Sequence, residues 1–236
     1  MRIDQQPTFV LHGRPYRETS LLLECLTRDH GRIGVVARGV RRERARLQRS
    51  QLEPFQPIAL DFLLRGELAT LRAAEPIGLP MRLVGDALMS GLYLNELVVR
   101  LTARHDPQPA VFDAYGGTVR RLADGEPVGW TLRRFERDLL DALGYALALE
   151  YEGNSGEPLV PGGSYRYEPE LGAVPARPNE PHTVQGRDLL DLAADRCPDA
   201  AGLAALRRLM RQVITFHLGG GELRAWTVLG QGGVRR

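Results

Sequence analysis

The hydrophobic pattern of this chain changes its period once, near residue 79, and that change limits the folds it can adopt. Before residue 77, apolar residues alternate with polar ones in short runs separated by turn signals, as in β-strands. From Leu79 onwards they recur with the spacing of an α-helix. The pattern therefore predicts an α+β protein, with a strand-rich domain over residues 1–78 and a helical domain over residues 79–218.

Five short strands are predicted in the first domain. In the third strand Ile33, Val35 and Ala37 share one face, which is the alternation expected of a half-buried strand. A longer excursion separates the third strand from the fourth, and this is the pattern of an OB-type barrel. Small sandwiches and SH3-like barrels leave similar patterns and remain alternatives. The predicted strands cover 8–12, 20–27, 32–37, 58–65 and 68–75.

The second domain is predicted to contain helices with one irregular interruption. The best-defined helix covers 132–143, where Thr131 is placed to cap its start and Gly144 to end it. Residues 150–181 are rich in Gly, Pro, Asn and Ser, which predicts an irregular insertion. Residues 219–236 contain repeated glycines and are expected to form a flexible tail. The other predicted helices cover 83–104, 110–123, 186–196 and 200–217.

The composition excludes several classes of protein. All 31 basic residues are Arg, so a Walker A lysine, a Schiff-base lysine and a lysine general base are absent. No catalytic constellation is found, and we do not expect an enzyme. The apolar runs are too short to span a membrane and no export leader is seen, so a cytoplasmic protein is expected.

No metal site is predicted. Cys25 and Cys197 match neither a disulfide framework nor a zinc set. The five histidines are scattered, and none has the spacing of metal ligands.

An arginine-rich segment at residues 38–49 is the strongest functional signal. Its charges are positive apart from Glu43, and it lies between two predicted barrel strands. Clustered guanidinium groups bind phosphate backbones, and OB barrels present nucleic acid to a groove bordered by such loops. The alternative is a solvated loop without a ligand. The candidate DNA-binding residues, including four arginines on or beside the strands, are Arg14, Arg32, Arg38, Arg41, Arg42, Arg44, Arg46, Arg49, Arg65 and Arg72.

The helix at 132–143 offers a second candidate surface. Arg133 and Arg134 share this helix with an apolar stripe, and cations beside an apolar groove can receive an acidic, hydrophobic peptide. An ordinary core helix with arginines on its wet face is the simpler interpretation of this helix alone.

Ten motifs, occurring in one order over about residues 10–218, resemble the RecO family of bacterial recombination mediators. In the first domain they are FVLHGRPYRETSL from Phe9, GRI from Gly31, VARGVR from Val36, LEPFQP from Leu52 and LRAAE from Leu71. In the second they are SGLYLNEL from Ser90, LRRFE from Leu132, LGY from Leu143, GEP from Gly156 and YRY from Tyr165.

The resemblance implies an N-terminal five-stranded OB-fold barrel followed by an α-helical domain with a zinc-ribbon-like insertion. Many family members hold zinc there through four cysteines, but this chain has no Cys between residues 151 and 181. We therefore expect a metal-free insertion, without a cofactor, held by the packing of Leu159, Tyr165 and Tyr167.

The resemblance also implies a function. Such a protein binds single- and double-stranded DNA, anneals complementary strands and acts with RecR to load RecA onto strands coated by the single-stranded DNA-binding protein, SSB. A monomer associated with the nucleoid is expected. The acidic, Phe-ended SSB tail would bind the helical domain, and the residues inferred for it are Arg133, Arg134, Leu140 and Leu143. The main alternative is a protein-interaction or regulatory module whose arginine-rich loop is only a solvated surface.

Overall fold

A computed structural model describes residues 1–42, 47–177 and 180–226 of the chain. Five strands near the N-terminus close into a barrel in the order β1-β2-β3-β5-β4. Neighbouring strands are antiparallel except β3 and β5, which run parallel. The predicted OB-like barrel followed by helices is confirmed. The strands are β1 (Arg2–Tyr16), β2 (Ser20–Thr27), β3 (Gly31–Ala37), β4 (Pro57–Arg65) and β5 (Leu68–Pro76).

Strand β1 is much longer than the predicted 8–12. Its first half pairs with β4 and its second half pairs with β2, so this one strand is hydrogen-bonded to two neighbours. The register shifts between Ile3 and Gln6 and again between Val10 and His12. Such bulges bend a strand around a barrel and accommodate residues that otherwise indicate turns. The prolines and glycine of this segment were therefore misleading signals.

The barrel interior is filled by alternate side chains. Ile33, Val35 and Ala37 of β3 are all fully buried, as their spacing predicts. Leu60 and Phe62 of β4 face the same core. The intervening residues of β3 lie on the outer surface of the barrel.

Two helices pack on the barrel in one compact unit, which comprises Met1–Glu126 and the chain from Leu223. They are α1 (Gly85–Leu101) and α2 (Pro109–Ala123). Nδ2 of Asn95 in α1 donates a 2.6 Å hydrogen bond to the carbonyl of Leu11 in β1. None of the helices within the described residues combines the length and the apolar character needed to cross a bilayer.

The second compact unit comprises Pro127–Glu222. Two strands of the predicted irregular insertion, β6 and β7, form a small antiparallel sheet of order β7-β6-β8 with a third strand that follows the insertion. These strands are short and were hidden among turn residues. Leu159, Tyr165 and Tyr167 are buried in the core of this unit, as expected. Its elements are α3 (Val128–Ala142), β6 (Ser164–Glu168), β7 (Gly172–Pro175), β8 (Thr183–Gln185), α4 (Gly186–Ala193) and α5 (Ala200–His217).

Two local features of the described residues differ from what the sequence suggested. Helix α3 begins at Val128 after Pro127, and Thr131 lies fully buried in its first turns rather than capping it. Part of the expected flexible tail is packed: Leu223 is 1% exposed, and the amides of Arg224 and Ala225 each donate a 2.8 Å hydrogen bond to the Glu96 carboxylate. Residues 227–236 of the predicted tail lie outside the described residues.

Candidate nucleic-acid interface

A groove of about 600 Å³ lies on the barrel between two hairpins, and we call it the hairpin groove. One wall is the turn that joins β1 to β2, and the other is the turn that joins β4 to β5. The floor is the seam where Val36 of β3 lies beside Thr70 of β5. OB barrels bind oligonucleotides between these same two loops. The lining residues are Tyr16, Arg17, Thr19, Ser20, Val36, Arg38, Gly39, Arg42, Arg65, Leu68, Ala69 and Thr70.

The hairpin groove is strongly positive. Arg17, Arg38, Arg42 and Arg65 line it and are exposed, and none of the described lining residues is acidic. The Arg17 guanidinium lies 5.3 Å from the ring centroid of Tyr16, within the range of a cation–π contact. This arrangement can attract an anionic backbone and offers an aromatic face beside it.

The backbone after β3 aims two of these arginines into the groove. Gly39 has a left-handed φ of +72°, and its carbonyl accepts a 3.1 Å hydrogen bond from the amide of Arg42. The amide of Arg41 donates a 3.1 Å hydrogen bond to the carbonyl of Thr19 in the β1–β2 hairpin. The start of the arginine-rich segment is therefore tied to one wall of the groove.

A second depression of about 420 Å³, the loop groove, shares Arg38 and Arg42 with the first. Arg72 lines it, together with Glu75. Four predicted residues thus line one or both grooves: Arg38 and Arg42 from the loop after β3, Arg65 from the end of β4 and Arg72 from β5.

Other predicted arginines lie elsewhere. Arg49 is exposed and forms a 3.6 Å ion pair with Glu53, so part of its charge is compensated. Arg41 is exposed but lines neither groove. Arg44 and Arg46 lie outside the described residues.

Arg14 and Arg32 line a third depression of about 320 Å³, which we call the Glu24 cleft. All three guanidinium nitrogens of Arg32 are occupied: Nη1 binds the Glu24 carboxylate, while Nε and Nη2 bind Thr102 at 3.2 and 2.8 Å. The Arg32 guanidinium is therefore held by contacts within the protein, which its position on a strand did not suggest. Arg14 is exposed.

Arg17 and Arg104 were missed from the sequence. Arg17 is in the β1–β2 turn, and recognising that an OB barrel uses this loop would have identified it. Arg104 follows α1 and reaches the Glu24 cleft only through the fold, so no local signal marks it.

The residues inferred for an acidic tail do not form an open cationic groove. Arg133 is 6% exposed and its guanidinium pairs with Glu136 one turn along the same helix. Leu140 is fully buried in the core of the second unit. Tertiary packing therefore encloses these two side chains rather than presenting them to a ligand. Arg134 pairs with Asp195 at 2.7 Å, and Leu143 is half-buried.

The residues of the insertion do not fit the zinc site of the RecO family. Residues 151–181 contain no Cys, and His182 is a single nitrogen ligand. Across the described ranges, no three His, Cys, Asp or Glu side chains are grouped as metal ligands would be.

Two family models and several full-length relatives match this chain. The family model for the recombination protein O N terminal matches residues 1–80, and that for the C terminal matches residues 82–227. The DNA repair protein RecO of Stenotrophomonas maltophilia strain R551-3 is 47% identical over 235 residues, which cover 98% of each chain. The DNA repair protein RecO of Xanthomonas euvesicatoria pv. vesicatoria is 44% identical over 234 residues, 97% of each chain.

Proposed function

Because the chain belongs to the RecO family, we propose that it is a DNA-binding recombination mediator whose hairpin groove holds the sugar-phosphate backbone. One observation carries the proposal: four exposed arginines and no described acidic residue line a groove between the two loops that OB barrels use for oligonucleotides. The contacts are to phosphates, so they confer affinity without reading sequence.

Strand annealing follows from the same chemistry. Arginines that neutralise phosphates reduce the repulsion between two strands, and bases that are not hydrogen-bonded by the protein stay free to pair. Single- and double-stranded DNA both present the required backbone. In the cell, we propose that the protein acts without a catalytic site or cofactor, in the cytoplasm at the nucleoid, and with RecR to load RecA onto SSB-coated strands.

Salt dependence tests the DNA-binding proposal. Labelled single-stranded oligonucleotide is titrated with the full chain at several salt concentrations, and fluorescence anisotropy measures the dissociation constant. We expect the affinity of the parent protein to fall steeply as the salt concentration rises. The double variant Arg38→Ala/Arg65→Ala should bind more weakly. Its slope of log affinity against log salt concentration should be flatter by about 1.4, which is about 0.7 for each lost phosphate contact. Arg120→Ala is the matched control, because Arg120 is exposed in the same unit and lines neither groove.

A protein-interaction module with a merely solvated arginine-rich loop is the competing function. It predicts salt-insensitive or negligible DNA binding and no difference between the double variant and Arg120→Ala. Replacing Arg41, Arg42, Arg44 and Arg46 together with Ala tests the adjoining loop in the same assay. Unchanged binding by that variant would remove the loop from the interface.

For the SSB tail we propose a contact near Arg134 and Leu143, the two less buried members of the inferred set. Asp195 already binds the guanidinium of Arg134, so a tail carboxylate would have to displace it. A labelled acidic peptide ending in Phe should then bind Asp195→Asn more tightly and Arg134→Ala more weakly than the parent protein. The opposite order would contradict this location.

A further inference from the structure

We propose that the DNA site continues from the hairpin groove across the outer face of β1, β2 and β3 to the Glu24 cleft, where Arg14 and Arg104 bind a second stretch of backbone phosphate. This extension rests on the proposed function, because it takes the ligand of the hairpin groove to be DNA. In this proposal the Glu24 cleft binds a ligand in addition to forming its internal ion pairs.

The strand register joins the two sites. Arg14 lies opposite Leu22, Leu22 lies opposite Val36, and Val36 lies beside Thr70, so these residues form one row across four strands. Val36 and Thr70 belong to the floor of the hairpin groove, while Arg14 and Leu22 line the Glu24 cleft. The groove and the cleft are therefore neighbours on one surface.

The next row carries the cleft itself. His12 lies opposite Glu24, Glu24 lies opposite Gly34, and Gly34 lies beside Leu68. Since side chains alternate between the faces of a strand, both rows project outwards from the barrel. Gly34 carries no side chain, and a Cβ built there would lie 2.7 Å from Cδ2 of Leu68 and 3.8 Å from Nη1 of Arg104. The side chains of Leu68 and Arg104 therefore both cover the backbone of this row at Gly34.

The charge balance of the Glu24 cleft favours an anion. Three guanidinium groups, those of Arg14, Arg32 and Arg104, face a single carboxylate. That carboxylate is already bound by Arg32 and by Arg104, whose Nη2 and Nε lie 2.5 and 3.3 Å from its oxygens. Nη1 of Arg104 is left for a ligand, and Arg14 forms no ion pair with any described carboxylate. Glu24 therefore holds Arg104 in place without neutralising the cleft.

The distance between the two ends suits a strand of DNA. Tyr16 and His12 are four residues apart on β1, which corresponds to about 13 Å along an extended strand. Leu22 and Val36, both partly exposed, form an apolar patch between the ends on which a base or sugar can lie. OB folds cover about 4 to 16 nucleotides, so a short oligonucleotide fills one end and a longer one spans both.

Oligonucleotide length separates the two ends experimentally. Oligo-dT of about 4 and about 12 nucleotides is titrated by anisotropy against the parent chain, Arg14→Ala, Arg38→Ala/Arg65→Ala and the control Arg120→Ala. We expect Arg14→Ala to weaken binding of the longer oligonucleotide about tenfold and to leave the shorter one unchanged. Its salt slope on the longer oligonucleotide should be flatter by about 0.7.

Each result has a distinct meaning. If the Arg38→Ala/Arg65→Ala protein binds both lengths weakly while Arg14→Ala matches Arg120→Ala on both, the extension is wrong and the proposed function stands. If neither variant differs from the control, both proposals fail. The charge reversal Arg14→Glu provides a second variant at this exposed position. It must weaken binding of the longer oligonucleotide more than Arg14→Ala does.

Discussion

The hydroxyl of Tyr115 in α2 donates a 2.6 Å hydrogen bond to Oδ1 of Asn95 in α1. Both side chains are buried, and Asn95 in turn donates to the carbonyl of Leu11 in β1. Burial raises the pKa of Tyr115, which keeps the hydroxyl protonated as the donor. This buried chain of hydrogen bonds joins both helices to the strand that carries Arg14 and Tyr16.

We expect Tyr115→Phe to lower the stability of the barrel unit by about 1–3 kcal/mol, because Oδ1 of Asn95 would then be buried without a donor. Chemical denaturation followed by circular dichroism measures the loss. Tyr145→Phe is the control, since Tyr145 is half exposed and its loss of a hydroxyl should cost little. Equal effects of the two substitutions would contradict the importance of the buried hydrogen bond.

Two helical glycines should respond to alanine with opposite signs. A Cβ on Gly91 of α1 would lie 2.7 Å from both Leu83 Cδ1 and Phe55 Cε1, whereas one on Gly117 of α2 has nothing within 4 Å. Gly91→Ala should therefore destabilise the protein by about 1–3 kcal/mol through overpacking. Gly117→Ala should stabilise it by about 0.5–1 kcal/mol, because alanine restricts the unfolded chain. Thermal denaturation of the two variants side by side measures both signs, and a stabilising Gly91→Ala would refute the close approach.

Local patterns predicted the barrel far better than they predicted the groove. Alternation at Ile33, Val35 and Ala37 is a property of neighbouring residues and needs no tertiary information. The groove needs Arg17 and Arg65 on opposing hairpins, which become neighbours only when β3 pairs with β5 and closes the barrel. That pairing joins residues 34 positions apart, such as Gly34 and Leu68, and neither segment carries a local sequence signal for it.

The burial of Arg133 was missed for a different reason. An amphipathic pattern identifies the buried face of a helix, but it does not reveal how many sides tertiary packing covers. Glu136, three residues after Arg133, was the available signal, because a buried guanidinium requires a carboxylate within reach. The charges of Arg133 and Glu136 therefore compensate each other inside the second unit.

Chelation should not affect the stability of the insertion. Tyr165 is 2% exposed, and its hydroxyl accepts a 2.9 Å hydrogen bond from the amide of Val160, while Leu159 packs in the same core. We expect the melting temperature to be unchanged by EDTA, whereas Leu159→Ala should cost about 2–5 kcal/mol. Zinc at one equivalent in the purified protein, with a melting temperature that falls on chelation, would contradict a core held by side-chain packing.

His217 should make the second unit sensitive to mild acid. Its imidazole stacks on the ring of Tyr145 with centroids 4.3 Å apart, and burial lowers its pKa because the charged form is poorly solvated there. In the unfolded chain a histidine titrates near about 6.5. As the pH falls below that value, the unfolded state binds a proton that the folded state does not, so the free energy of unfolding decreases until the folded pKa is passed.

His217→Phe should remove this contribution while keeping an aromatic ring against Tyr145. Melting temperatures measured between pH 8 and pH 5 should therefore fall less in His217→Phe than in the parent protein, with little difference in slope above pH 7. His182→Asn is the control, because His182 is exposed and Asn tolerates its left-handed φ of +64°. If the parent and His217→Phe lose stability in parallel, the protonation that destabilises the fold occurs at another group, and burial of His217 does not make the fold sensitive to acid.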